Sequence, residues 1–297
     1  MMLKKLCDLH CDTITACMEK GEGIARAAGH ISLAQAGFLD AWTQVFAIFV
    51  PDELRGKEAA AYYDRALAFY RSQEKEIKQV CTPVLSLENA NALSGNLRRL
   101  DTMRKQGVRF IALTWNGKNE LGHGAHCDPA LGLTALGKQA VRRMRALGIV
   151  PDVSHLNPAG FGDVAAISDI FVASHSNCAA VHPHRRNLND DQIRAIIARH
   201  GLIGLNLYPE FLGGEDTAQA LARHLRHIIA LGGEDHAALG SDFDGCATRL
   251  SGLRDLPALA AQMAVPGIEP ELTPARLEKF FWLNGANFFK KHLQNPQ

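Results

Sequence analysis

The stretch Leu3-Lys4-Lys5-Leu6-Cys7-Asp8-Leu9-His10-Cys11-Asp12 reads as a buried β-strand that ends in polar residues, and Met1-Met2 extend the same apolar run. Residues two apart in a strand share a face. His10 and Asp12 are therefore expected to project together, with Asp8 on their side. An imidazole nitrogen beside a carboxylate oxygen suits a divalent metal such as zinc. His-x-Asp pairs also occur by chance, so the weight of this one rests on partners elsewhere in the chain.

Seven further apolar runs follow, at 44–50, 83–87, 108–114, 149–153, 170–174, 202–207 and 237–241. Helical stretches separate them. Leu133, Leu136, Ala140, Val141, Met144 and Leu147 fall on one helical face, with Lys138, Arg142, Arg143 and Arg145 off it. Gly148 stands where a C-cap glycine belongs. Segment 90–107 reads the same way and ends at Gly107. Eight strand-then-helix units in 297 residues predict an α/β protein: one (β/α)8 barrel domain over 1–297, with extra C-terminal helices. Thr273-Pro274 starts those helices, with Pro at the first helical position, and they are expected outside the barrel. A doubly wound open sheet is the alternative. No Gly-x-Gly-x-x-Gly follows the first strand, so its usual dinucleotide signature is missing. The Gly-rich segment 117–132 and the Pro/His/Arg-rich segment 176–190 read as long strand-to-helix loops.

The chain is 47% hydrophobic and 21% charged, with a formal net charge of +1. No bulk field points to nucleic acid, a membrane surface or a polyanion. No apolar run approaches the roughly 20 residues of a membrane span. The N-terminus does not read as a signal peptide, because Asp8 and His10 interrupt any long apolar region. Seven scattered cysteines without a CxxC pair predict small buried thiols in a reduced, cytoplasmic protein. Cys7, Cys11 and Cys17 read as packing residues, with Cys11 facing away from His10 and Asp12.

In a barrel, chemistry sits at the C-terminal ends of the strands. The residues falling there are His10 and Asp12, Glu88, Trp115 and Asn116, His155, His175, Asn206 and Tyr208, then Asp242 and Asp244. Each has a plain structural reading: a hydrogen-bonded loop histidine, a glutamate favouring a helix dipole, an Asp-Gly turn. Gathered at one end of several strands, they would be a costly convergence of polar groups unless something binds them. Two metal ions sharing Glu88 would account for the set. His123, His126, Cys127 and Asp128 also resemble a cluster, but a Gly-rich loop is not expected to hold ligands rigidly.

Asp8-x-His10-x-Asp12, Glu88, Ser154-His155, Ser174-His175-Ser176, Arg185-Arg186-Asn187 and Gly240-Ser241-Asp242-Phe243-Asp244-Gly245 resemble, in order and spacing, the membrane (renal) dipeptidase family. This is peptidase family M19, among the amidohydrolase-like metal-dependent hydrolases. The resemblance runs from about residue 3 to about residue 290. It implies a (β/α)8 barrel with two zinc ions bridged by Glu88 and a water or hydroxide, a dipeptide substrate, and a possible homodimer. His10, Asp12 and Glu88 would hold one ion, and Glu88, His155 and His175 the other. Asp242 would be the catalytic acid/base, Arg186 the clamp on the substrate carboxylate, and Tyr208 a substrate contact.

Two positions depart from the family. Trp115 stands where animal members carry a substrate-contacting histidine, so Trp115 lines the substrate site instead and His123 or His126 is a candidate for the missing role. Asn89-Ala90 stands where many members have Gly-Gly. The expected activity is zinc-dependent hydrolysis of dipeptides, including those with a C-terminal D-residue. An amidohydrolase acting on another small amide, such as an N-acyl amino acid, is the alternative. A non-catalytic metal-binding protein is a third.

Overall fold

The computed structural model describes residues 3–293; Met1, Met2 and 294–297 lie outside the described residues. Seven parallel strands form one sheet. They are β1 (Lys5–Cys11), β2 (Ala41–Phe49), β3 (Thr82–Glu88), β4 (Val108–Ala112), β5 (Val150–Asp152), β6 (Ile203–Leu205) and β7 (Ala237–Leu239). Their order is β5-β4-β3-β2-β1-β7-β6. Both faces are apolar, as a parallel sheet covered by helices requires. Alternate residues of β2 serve the two sides: Val45 joins a smaller cluster with Cys7, Leu9, Phe110 and Val172, while Phe46 and Ile48 join the large cluster shared with the helices.

The run 170–174 does not form a strand of its own. Val172 makes a single parallel bridge to Asp152, and Ala173 another to Ile203. Its neighbours β5 and β6 are each three residues long, too short for a continued ladder. The helix expected over 90–107 is also divided, into a 3₁₀ turn at Ala90–Leu93 and a helix at Arg99–Gln106. Left-handed backbone at Ser94 (φ 50°) and Gly95 (φ 69°) breaks it. The helix Ala135–Leu147 is as expected, with Gly148 in the left-handed conformation as its cap.

The C-terminal helices Pro274–Glu278 and Asn284–His292 do not lie outside the sheet. They cross the starts of the strands. Asn284 Nδ2 donates to the carbonyls of Glu234 and Ala237, both at 2.8 Å, and Phe288 enters the smaller apolar cluster. The opposite end of the sheet is left open for the strand-end polar residues.

One irregularity sets the site. Asp8 pairs with Gln44 and Cys11 with Phe46, so three steps of β1 match two of β2. Such a bulge breaks the alternation of faces. The carboxylate of Asp8 consequently does not join His10 and Asp12. It accepts from Ser241 N (2.8 Å), Ser241 Oγ (2.6 Å) and Gln44 Nε2 (3.0 Å), tying β1 to β2 and to the segment after β7.

Candidate active site and metal centre

His10, Asp12, Glu88, His155 and His175 come together at the C-terminal ends of the strands, each 6% exposed or less. Their ligand atoms fall into two groups that share Glu88: His10, Asp12 and Glu88, and Glu88, His155 and His175. Glu88 divides its oxygens between them. Oε2 lies 3.2 Å from His10 Nε2, and Oε1 lies 2.7 Å from His155 Nε2 and 4.0 Å from His175 Nε2. His10 Nε2 is 3.3 Å from Asp12 Oδ2. A third close group, His10, Asp152 and His175, is of another kind. Asp152 already accepts from Ser154 N, Ser154 Oγ, Ser174 N and Ser174 Oγ; it braces two loops.

The donor set fits a cation. The Ser174 hydroxyl proton goes to Asp152, which can only accept, so Ser174 Oγ accepts the Nδ1–H of His175 at 2.7 Å. His155 Nδ1–H donates to Asn116 Oδ1 at 3.0 Å. Both rings therefore turn an Nε2 lone pair inward, and the two nitrogens sit 2.7 Å apart. Two lone pairs at that distance repel unless a positive group lies between or beside them. His10 Nε2 and Asp12 Oδ1 are buried without a hydrogen-bond partner. Partnerless buried polar atoms are costly, and a metal ion would satisfy them.

Electrostatics divides the histidines. Burial holds His155 and His175 well below the ordinary imidazole range; Arg186 adds to this at His155, and His10 at His175. Burial pulls His10 down as well, but the carboxylates of Asp12 and Glu88 outweigh it and raise it well above 6.5. The negative field that keeps a proton on His10 equally attracts a cation. Burial lifts Asp12 to about 6, with Glu88 assisting and His10 opposing.

Asp242 has left-handed backbone, φ 60°, which brings Oδ1 to 3.8 Å from His10 Nε2. Asn206 Nδ2 donates to its other oxygen at 2.9 Å. Burial pushes its carboxyl up to about 7; His10 opposes, and Asp12 and Glu88 assist. Asp244 turns elsewhere and binds Thr13 Oγ1 (2.6 Å), His30 N (2.6 Å) and Ile31 N (3.3 Å). A Cβ at Gly245 would sit 2.0 Å from Asp12 Oδ2 and 2.6 Å from Asp242 Oδ1, so a side chain there would displace both carboxylates. The Cys246 thiol is pushed up by burial and by Asp242, so it stays protonated.

The cluster opens into a cavity of about 680 Å³ whose walls include Phe49, Trp115, Asn116, His126, Arg186, Tyr208 and Phe211. Trp115 meets Phe49 edge-on, with centroids 5.2 Å apart. Arg186 is buried, lies over the Phe211 ring at 5.3 Å, donates through Nη2 to His155 Nε2 at 3.1 Å and contacts Ser176 Oγ at 3.5 Å. Its Nε has no partner, leaving donor capacity for a ligand. Burial lowers it to about 10, so it remains a cation at neutral pH. His10, Asp12, Glu88, Trp115, His155, His175, Arg186, Tyr208 and Asp242 thus meet in one place, while the Asp244 carboxylate is taken up by Thr13, His30 and Ile31. The supporting residues Asn116, Ser174 and Asn206 were visible only as polar residues at strand ends, with no signal for the bonds they make to His155, His175 and Asp242.

Comparison with known proteins places the chain. Residues 67–291 match the family model described as membrane dipeptidase (peptidase family M19). His10 and Asp12 precede the matched region, and the distances to Glu88 join them to the rest. An uncharacterized protein from the pqqA 5′ region of Klebsiella pneumoniae is 36% identical over 228 residues, 71% of this chain and 82% of that protein. An uncharacterized dipeptidase of Schizosaccharomyces pombe is 29% identical over 77% of this chain, but only 56% of its own length is covered. Among solved structures, the family M19 metallopeptidase named dipeptidase AC superposes with a TM-score of 0.87 at 27% identity, covering 97% of this chain and 98% of that one. A Rhodobacter sphaeroides metallopeptidase, bound to a phosphinate mimic of the dipeptide L-Ala-D-Ala, gives 0.87 at 26% identity, with 97% and 99% covered. With the matched region spanning β3 to β7 and the helices after them, this chain belongs to the membrane dipeptidase family, peptidase family M19.

Proposed function

We propose that the chain is a zinc-dependent dipeptidase with a two-ion centre, built on a closed (β/α)8 barrel. The observation that carries the reading is the division of Glu88 between two ligand groups, one oxygen facing His10 and the other facing His155 and His175. Closure of the barrel is supported by the single bridges of Val172 to Asp152 and of Ala173 to Ile203, which link the two edge strands of the sheet. The dipeptide bound as a mimic by the Rhodobacter protein supports acceptance of a C-terminal D-residue here.

His10, Asp12 and Glu88 would hold one ion, and Glu88, His155 and His175 the other. Bound there, such ions polarise a carbonyl and lower the pKa of water toward neutrality. The chain's own residues supply the rest. Arg186 offers a guanidinium fork to the free carboxylate of the substrate. Asp242, with a carboxyl near 7, can take a proton from the attacking water and pass it to the leaving amine. Asn206 anchors one oxygen of Asp242 and leaves the other turned toward His10. Trp115 and Phe49 give the cavity an apolar wall that excludes water from the side of the peptide bond.

A dipeptide panel of L–L and L–D members, assayed with metal content measured in parallel, tests this reading. Cleavage by the two-ion form is expected. A protein carrying two ions and cleaving none would defeat it. The Trp115–Phe49 wall also favours a second reading, hydrolysis of N-acyl amino acids, which the same panel separates once such amides are added.

A further inference from the structure

We propose that His126 binds the free carboxylate of the substrate together with Arg186. The inference rests on the dipeptidase reading and adds a residue to it. Two imidazoles outside the metal cluster line the cavity, His126 and His184. His184 is engaged: its Nδ1 accepts the backbone N–H of Arg186 at 3.1 Å, and its ring packs on Phe211 at 4.6 Å. His123, the other histidine of the Gly-rich loop, donates through Nδ1 to the Gly132 carbonyl at 2.9 Å. The ring of His126 makes no hydrogen bond to any described residue.

The loop that presents it is tied to its surroundings by backbone hydrogen bonds. Gly124 N donates to Gly117 O (2.9 Å), Ala125 N to His155 O (2.8 Å) and His126 N to Asn116 O (3.0 Å). A Cβ at Gly124 would sit 2.1 Å from Trp115 O, so the glycine permits this close approach to the segment after β4. His126 and its neighbour Ala125 are therefore tied to the backbones of two residues that line the cavity, Asn116 and His155 respectively. The backbone is thus set at the cavity wall before any ligand arrives, and the ring is left without a competing partner.

The surroundings select the group it meets. Besides burial, the nearby charges acting on His126 are the cations Arg185 and Arg186, with Asp52 opposing, and together they keep the ring below the ordinary range and neutral. A neutral N–H donor in a positive field suits a fixed negative charge more than a carbonyl that becomes charged only transiently. The carboxylate clamped by Arg186 is that charge.

The test compares zinc-loaded wild type, His126→Ala and His126→Asn. Binding of a phosphinate dipeptide mimic is measured by calorimetry, for the free acid and for its C-terminal amide. The alanine variant should bind the free acid about tenfold more weakly, the range expected for one hydrogen bond to a charged group. It should bind the amide almost as wild type does, with metal content unchanged. The asparagine variant, which keeps a donor, should recover part of the loss. In turnover, KM should rise about tenfold with little change in kcat. Equal losses for acid and amide, a loss confined to kcat, or no change would each overturn the proposal. A wild type that binds the mimic but cleaves no dipeptide would overturn the dipeptidase reading, and the acid–amide comparison would still decide His126. A wild type that does not bind the mimic would overturn both.

Discussion

Asn206 donates its side-chain N–H to Asp242 Oδ2 at 2.9 Å and so favours the ionised form of a carboxyl that burial has pushed up to about 7. Asp242 must start ionised to receive a proton, so activity should fall as pH drops through its pKa. Asn206→Ala removes a bond to the charged form and should raise that pKa, moving the acid limb of the kcat profile upward by about half a unit to one unit. Asp242→Asn should abolish turnover and keep the metal. A pH–rate profile of each variant, with metal analysis, checks both statements.

Ser174 fixes the tautomer of His175 and passes the constraint to Asp152. Groups that orient a metal-binding imidazole typically matter about 10–100-fold in metal affinity. Ser174→Ala should weaken zinc binding by that order, measured against a competing chelator, and Asn116→Ala should act similarly through His155. Wild-type affinity in both would mean that these rings do not bind metal through Nε2.

Arg186 is the buried cation of the cavity wall. Arg186→Met should raise KM for free-acid dipeptides by at least about thirtyfold, since a paired, buried charge is worth about 2–5 kcal/mol. Metal content should not change. Steady-state kinetics on a dipeptide and its C-terminal amide would reveal the loss of preference for the acid.

His224 is buried away from the cluster. Its Nδ1 accepts Cys178 N–H at 3.1 Å and its Nε2–H donates to Leu212 O at 2.9 Å, pinning the loop that carries Arg186. Burial lowers its pKa from 6.5 to about 4. The unfolded chain therefore takes up a proton there before the folded one does. Stability is fully present above pH 6.5 and is lost as pH falls toward 4, by up to about 3 kcal/mol from this residue. Urea unfolding between pH 4.5 and pH 7 should show a flatter dependence in His224→Gln. An unchanged slope would remove His224 from the account.

The five clustered residues were legible as candidates because each stands where an apolar run ends, and apolar runs are what a sequence displays most openly. The helix Ala135–Leu147 and its glycine cap were legible for the same reason. The side of Asp8 was not, because a bulge in β1 depends on pairing with β2 rather than on β1 itself. The reduction of 170–174 to single bridges follows from the shortness of its neighbours. The placement of the last helices across the strand starts depends on Asn284 meeting two distant carbonyls. The backbone bonds that tie the Gly-rich loop to other segments are likewise not encoded in composition.

Zinc titration of the metal-free protein, followed by direct metal analysis and dipeptide hydrolysis at each point, tests the shared-Glu88 centre most directly. Two ions per chain should bind, with hydrolysis appearing as the pair fills, and Glu88→Gln should lose both the second ion and the activity. A wild type that saturates with one ion or none, or a Glu88→Gln variant that still binds two, would contradict the account.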